Sequence, residues 1–393
     1  MHESATFCYV ILSLCAPLYG VNFDGINDFS FRLMENVAVT NENNFAISPL
    51  SIWNVYSLLA EGASGRTFEE LTLQLNLPKD VAATQALHNS TGEILRNLND
   101  VTLKKHSALF ADCEIGIHKD FCETATLYDS EVFTVDAKNT TRLASDINYY
   151  VCVGTEGYIK DAVTAEMLND VKLIMVDAMY FRANWTRPFD LARTKQEPFY
   201  DHRGRNIGSV NMMYQKASNT VAYVESLGAE ILELPYGKEE RFSMIILLPL
   251  QGSSMKRLLK NLSQHPYKEW SNELKSGDSL PEIECYVPRF KITSHIDLVQ
   301  PLKYMGLYEI FDPQKCELPG ISDNPLFVSQ SFQKVELEVN EEGTKSAVAT
   351  VVHLEDRILG QRFEVNRPFV YFIMEKKSNI MLFAGVYTEP SVI

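Results

Sequence analysis

Past the first twenty residues, no stretch is apolar for long enough to cross a membrane, which takes ~20 residues as a helix. No Pro/Gly/Ser-rich linker, charge block or internal repeat divides the 393 residues, so residues 21–393 are expected to form a single domain. Positive charge is in deficit. The formal net charge of −15 argues against nucleic acid and anionic membrane surfaces as partners. Lys104, Lys105 and His106 form the only short basic run in the first half, and three such residues read as a solvated face.

Cysteine is sparse. Of seven, Cys8 and Cys15 fall in the N-terminal apolar run, leaving Cys113, Cys122, Cys152, Cys285 and Cys316 scattered without a CxxC. That excludes a disulfide framework and a zinc site, although Cys113 and Cys122 could pair. A chain of this length needs no staples to form a core. Enzyme signatures are missing too: no GxSxG, HExxH, Walker loop or GxGxxG. Paired carboxylates such as Glu239-Glu240 and Glu341-Glu342 lie in turn-like sequence and read as solvated charge. No catalytic residue, metal or cofactor is expected.

Among the features that are present, Phe7 to Gly20 is apolar, N-terminal and too short to span a bilayer. It reads as the core of a secretory signal over residues 1–20, giving a mature start at Val21. Four Asn-x-Ser/Thr triplets, at Asn89, Asn139, Asn184 and Asn261, agree with an extracellular glycoprotein. Trp185, expected to pack inward, would hinder modification of Asn184.

Ser48-Pro49-Leu50-Ser51 reads as a helix start, with Ser48 capping and Pro49 in the first turn. Ile52, Tyr56, Leu59 and Ala60 continue it at helical spacing until Gly62 and Gly65. A second helix is expected from Thr67, with Leu71, Leu73 and Leu75 on its apolar side. Val171 to Phe181 and Phe242 to Leu250 are almost wholly apolar and read as strands buried on both faces. Phe332 to Val339 alternates, as a half-buried strand does. Asn340 to Gly343 reads as a turn, and Thr344 to Val352 as a weak strand of small residues. Pro368 to Met374 and Ile380 to Val386 close the chain as strands. Helices early and strands later indicate an α+β fold on large sheets.

Several segments, taken in order, resemble the serpin family from about Phe29 to Pro390. They are Asn44 to Ile52 (NFAISPLSI), Gly62 to Thr67 (GASGRT), Ile147 to Asp161 (INYYVCVGTEGYIKD) and Val176 to Phe189 (VDAMYFRANWTRPF). Leu232 to Tyr236 (LELPY), Val287 to Phe290 (VPRF), Val339 to Thr350 (VNEEGTKSAVAT) and Asn366 to Ile373 (NRPFVYFI) complete the series. The resemblance implies three β-sheets with eight to nine helices, and an exposed reactive-centre loop at about residues 341–362. It implies a monomeric, secreted, suicide-type inhibitor of a serine protease. The loop is cut, the protease serine is acylated, and the loop inserts into the large sheet; serpin loop insertion is itself a standard example of strand addition and of released strain.

In that family's spacing, the bond cut lies fourteen positions after the hinge glycine and eleven before the RPF proline. Counting from Gly343 and from Pro368 gives the same residue, Arg357, and hence the bond Arg357–Ile358. Leu354 and Arg362 fit the spacing poorly. A long cation there suits a protease with a carboxylate in its primary pocket, the trypsin pattern. Glu355 and Asp356 should select basic secondary pockets. The hinge would comprise Glu341, Glu342, Gly343, Thr344, Lys345, Ser346, Ala347, Val348, Ala349 and Thr350. Strand periodicity sends Thr344, Ser346, Val348, Thr350, Val352 and Leu354 to one face, which is small or apolar, and the charges to the other. The family's gate cluster of Ser, Ser, Asn and His is matched by Ser48 and Ser51, but Asp177 and Gln333 stand at the other two places. A Gln amide can donate to such a carboxylate.

Overall fold

The computed structural model describes residues 23–96, 98, 101–169, 171–275, 277–343 and 361–392. The expected signal at residues 1–20 lies outside them. So do Thr344 to Thr350, Glu355, Asp356 and the Arg357–Ile358 bond.

Nine α-helices occur among the described residues. They are α1 (Asp24–Thr40), α2 (Pro49–Gly62), α3 (Gly65–Gln74), α4 (Val81–Arg96), α5 (Lys119–Leu127), α6 (Thr140–Gly154), α7 (Met255–Gln264), α8 (Tyr267–Lys275) and α9 (Val299–Tyr304). The strands are β1 (Phe45–Ile47), β2 (Val101–Asp112), β3 (Ser130–Val135), β4 (Leu173–Ala183), β5 (Lys195–Tyr200), β6 (Asn206–Val224) and β7 (Ala229–Tyr236). They continue with β8 (Phe242–Pro249), β9 (Asp278–Asp297), β10 (Gln330–Val339), β11 (Gln361–Glu364), β12 (Phe369–Glu375) and β13 (Ile380–Tyr387).

The three expected sheets are not separate: hydrogen bonds join all thirteen strands. Two long strands do the joining. The second half of β9 pairs with β10, extending the layer β3-β2-β4-β10, while its first half pairs with β6 and β11. Strand β6 in turn pairs with β5 near its start and β7 at its end, leading into β7-β8-β12-β13-β1.

The apolar runs fold as their composition demands. Strand β8 is buried along its whole length, and β4 is buried except at Arg182. One face of β4 (Leu173, Met175, Met179, Phe181, Ala183) joins the main core, and the other (Ile174, Val176, Ala178) meets Leu143, Ile147 and Val151 of α6. Helix α2 is buried nearly throughout, with Ser48 at its N-cap, yet the Ser48 hydroxyl makes no capping bond. Helix α3 starts at Gly65, two residues before the expected Thr67. Leu71 and Leu75, four apart, are buried, whereas Leu73 is 69% exposed, because a residue two along a helix faces away. Cys113 and Cys122 are both free, so the pair considered above does not form. No described helix is long and apolar enough to cross a membrane.

Candidate functional site: a pinned turn above a buried carboxylate cluster

Strand β10 lies parallel to β4, with Gln330 to Glu336 opposite Ile174 to Tyr180. At the top of this pair the chain turns back over Asn340–Gly343. The Asn340 N–H donates to the Gly343 carbonyl at 2.9 Å and the Gly343 N–H to the Asn340 carbonyl at 3.2 Å. The turn is pinned to the chain beyond β4. Trp185 donates its backbone N–H to Glu342 O (2.9 Å) and its indole N–H to Asn340 O (2.8 Å), and the Phe189 N–H donates to Glu341 O (2.7 Å). Trp185 is fixed in turn by stacking on Tyr236, centroids 4.3 Å apart. The Glu341 side chain is buried, accepting from the Thr194 hydroxyl (2.7 Å) with Arg289 at 3.5 Å. The expected hinge therefore begins with three packed residues, and Glu341 is not the solvated charge its turn-like sequence suggested.

Gly343 forms an antiparallel bridge with Asn184 at φ +131°. A Cβ there would sit 2.2 Å from the Ala183 carbonyl oxygen, 2.5 Å from Asn184 Cα and 2.7 Å from the Trp185 nitrogen. All three are backbone atoms, so glycine is the residue that fits. At the other end of the loop, Gln361 already belongs to β11, which pairs with β9. Arg362 lies in that strand, its guanidinium 4.1 Å over the Tyr286 ring and paired with Glu364. The loop was expected to end at about residue 362, and strand pairing begins at Gln361, with Arg362 inside β11.

Beneath the β4–β10 pair lies the cluster expected to form the gate. Gln333 stands directly opposite Asp177, and its amide donates to Asp177 Oδ2 at 2.6 Å. The hydroxyls of Ser51 and, at 2.6 Å, Ser107 donate to Oδ1. Gln333 also holds the start of α2, accepting from the Ser48 N–H (2.8 Å) and donating to the Ser48 carbonyl (3.0 Å). Ser48 thus serves through its backbone, and its buried hydroxyl has no partner among the described residues. Sequence reasoning missed Ser107, which the β2–β4 register sets opposite Asp177.

Helix α6 crosses the outer face of this sheet, its Leu143, Ile147 and Val151 packing with Val176 of β4 and Phe332 of β10. Its Asn148 side chain binds the backbone of Ala162 and Val163, tying down the segment that follows. At its end Gly154 rests on the His106 ring, where a Cβ would lie 2.3 Å away. Burial lowers the His106 pKa, with Glu131 opposing.

Asn89 and Asn139 are exposed, the latter also capping α6 through Oδ1. Trp185 packs inward as expected, yet Asn184 itself is exposed, beside Gly343. Asn261 is half-buried and its amide donates to Leu227 O, a bond that a sugar would disturb.

A family model described as serpin (serine protease inhibitor) matches residues 24–390. Human serpin B8 is 30% identical over 89% of this chain and 94% of its own length. Human antithrombin-III is 31% identical over 90% of this chain and 78% of its own. Among solved structures, human thyroxine-binding globulin superposes with a TM-score of 0.84 at 24% identity, covering 94% of this chain and 98% of that one.

Proposed function

From the premise that this chain belongs to the serpin family, we propose that it is a secreted, irreversible inhibitor of a trypsin-like serine protease. The protease serine oxygen bonds to the Arg357 carbonyl carbon, the Arg357–Ile358 C–N bond breaks, and the proton leaves on the Ile358 amine. The acyl ester survives because the freed loop inserts between β4 and β10, carries the protease away and distorts its active site before water can attack. Each molecule acts once.

The observation that carries this reading is the Asn184–Gly343 bridge. It already starts an antiparallel pairing with the chain leaving β4. Continued in the same register, it would set Thr344 opposite Ala183, Ser346 opposite Phe181, Val348 opposite Met179 and Thr350 opposite Asp177. Those partners are on the core-facing side of β4. Directly opposed residues share a face, so the small and apolar half of the loop would turn inward and Lys345 outward. That is the parity an inserted central strand requires.

A carrier role is the second reading, because thyroxine-binding globulin shares the fold. Incubation with trypsin followed by a denaturing gel separates the two. An inhibitor forms an adduct of higher mass that is lost in Arg357→Ala and in Thr344→Arg. Cleavage without an adduct sinks the inhibitory reading and favours the carrier.

A further inference from the structure

The basic run Lys104-Lys105-His106 is not one solvated face. In β2 successive side chains alternate. Lys104 reaches outward to Glu156 at 2.7 Å, and His106 meets Gly154 of α6. Lys105 turns the opposite way, with Leu103, Ser107 and Leu109, beneath the sheet. Its ammonium nitrogen is buried and has no hydrogen-bond partner among the described residues. An unpaired buried cation is costly unless a counter-charge is near. The β2–β4 register supplies one. Lys105 lies opposite Met179 and Ser107 opposite Asp177, which makes Lys105 and Asp177 diagonal neighbours on one face. Such positions are within reach of a long side chain.

Resting on the gate role proposed above, we infer that Lys105 is the positioning residue that keeps the Asp177 carboxylate in place while the gate opens. When β10 moves away from β4 it takes Gln333 with it, and the carboxylate loses its 2.6 Å donor. Ser107 and Lys105 are on β2, which stays with β4. They hold the anion through the interval before the loop arrives, so β4 and β10 can part without first hydrating a buried charge. The field of Asp177 acts on Lys105 in the matching sense, partly offsetting the lowering of its pKa by burial. Asp129, on the turn before β3, is the other carboxylate acting on Lys105, and it is exposed.

The test is a double-mutant cycle of Lys105→Met and Asp177→Asn, read by two measurements on the full-length protein. Thermal unfolding at neutral pH needs no protease. Each single variant should lower the midpoint by several degrees, and the double variant by clearly less than their sum. Titration against trypsin gives the share of inhibitor cleaved without adduct. Lys105→Met should raise that share several-fold in the wild-type background and leave it unchanged in Asp177→Asn. Lys105→Arg, which keeps the charge, should behave as wild type. If Lys105→Met does not fold, Lys105→Gln replaces it in the same cycle. Additive midpoint losses, or coupling to Asp129→Asn instead of Asp177→Asn, would overturn the inference. A wild type that forms no adduct would sink the inhibitor reading alone, leaving the thermal cycle to decide this one.

Discussion

Gly343→Ala introduces backbone strain at the expected hinge. In the native fold the new methyl carbon would meet three backbone atoms at 2.2 to 2.7 Å, with φ at +131°. No side chain can step aside to relieve it. A non-glycine residue held in such a backbone region costs about 1–3 kcal/mol. If the turn lifts instead, the two Asn340–Gly343 bonds and the bridge to Asn184 are lost. At about 1 kcal/mol for each net hydrogen bond, that route costs a similar amount. Either way the native state rises by about 2–3 kcal/mol. In the inserted state the same residue would lie within a regular strand, where φ is negative and alanine carries no such strain. The substitution therefore destabilises the native fold but not its product. If between half and all of the 2–3 kcal/mol appears in the barrier, conversion speeds up by about 5- to 150-fold. The assay is the half-life of inhibitory activity at a fixed temperature below global unfolding, with trypsin titration as the readout. Wild type and Gly343→Ala should both form the adduct when fresh, and the variant should lose activity far sooner. A half-life within twofold of wild type, with an unchanged unfolding midpoint, would refute a hinge pinned in a conformation that only glycine fits.

Two further outcomes follow from the same sheet. Burial lowers the pKa of His106 under α6 and of His295 on β9, so the unfolded chain takes up their protons first as pH falls. Their contribution is complete above pH ~6.5 and is lost as pH falls through the lower folded values; the unfolding midpoint should drop between pH 7 and pH 5, and His106→Gln should flatten that slope. The register proposed for the inserted loop would set Thr350 opposite Asp177, where its hydroxyl would replace the departed Gln333 donor. Thr350→Val should then forgo a bond to a charged group, worth about 1.5–3 kcal/mol, and shift trypsin titration toward cleaved, unproductive inhibitor; equal stoichiometry for the two proteins would exclude that contact.

Much of the scaffold was legible because it follows from local pattern. The apolar runs of β4 and β8 and the alternation of β10 are strand signals that tertiary packing did not need to override. Errors arose where one residue's direction mattered. Leu73 was grouped with Leu71 and Leu75 by composition, although helical geometry places it on the opposite side. Ser48 looked like a side-chain cap, but Gln333 takes up its backbone N–H instead.

The loop and its gate differ in legibility for a geometric reason. The proposed bond is located by counting along the chain from Gly343 and from Pro368, which is a one-dimensional measurement. The gate gathers donors from α2, β2 and β10 onto one carboxylate of β4, and its contacts span 70 to 285 residues. Asp177 and Gln333 could be assigned to it only through the serpin motifs. Ser107 and Lys105 carry no motif, and their roles depend on the β2–β4 register, in which a slip of one residue would turn both to the outer face. That dependence also explains the misreading of the basic run. As a composition, three adjacent basic residues suggest solvent; as part of a strand, the middle one must point away from its neighbours. With Lys104 committed to Glu156 on the outside, Lys105 had only the interior left to enter, and a lysine is tolerated there because a carboxylate stands at the gate where the family pattern has an amide.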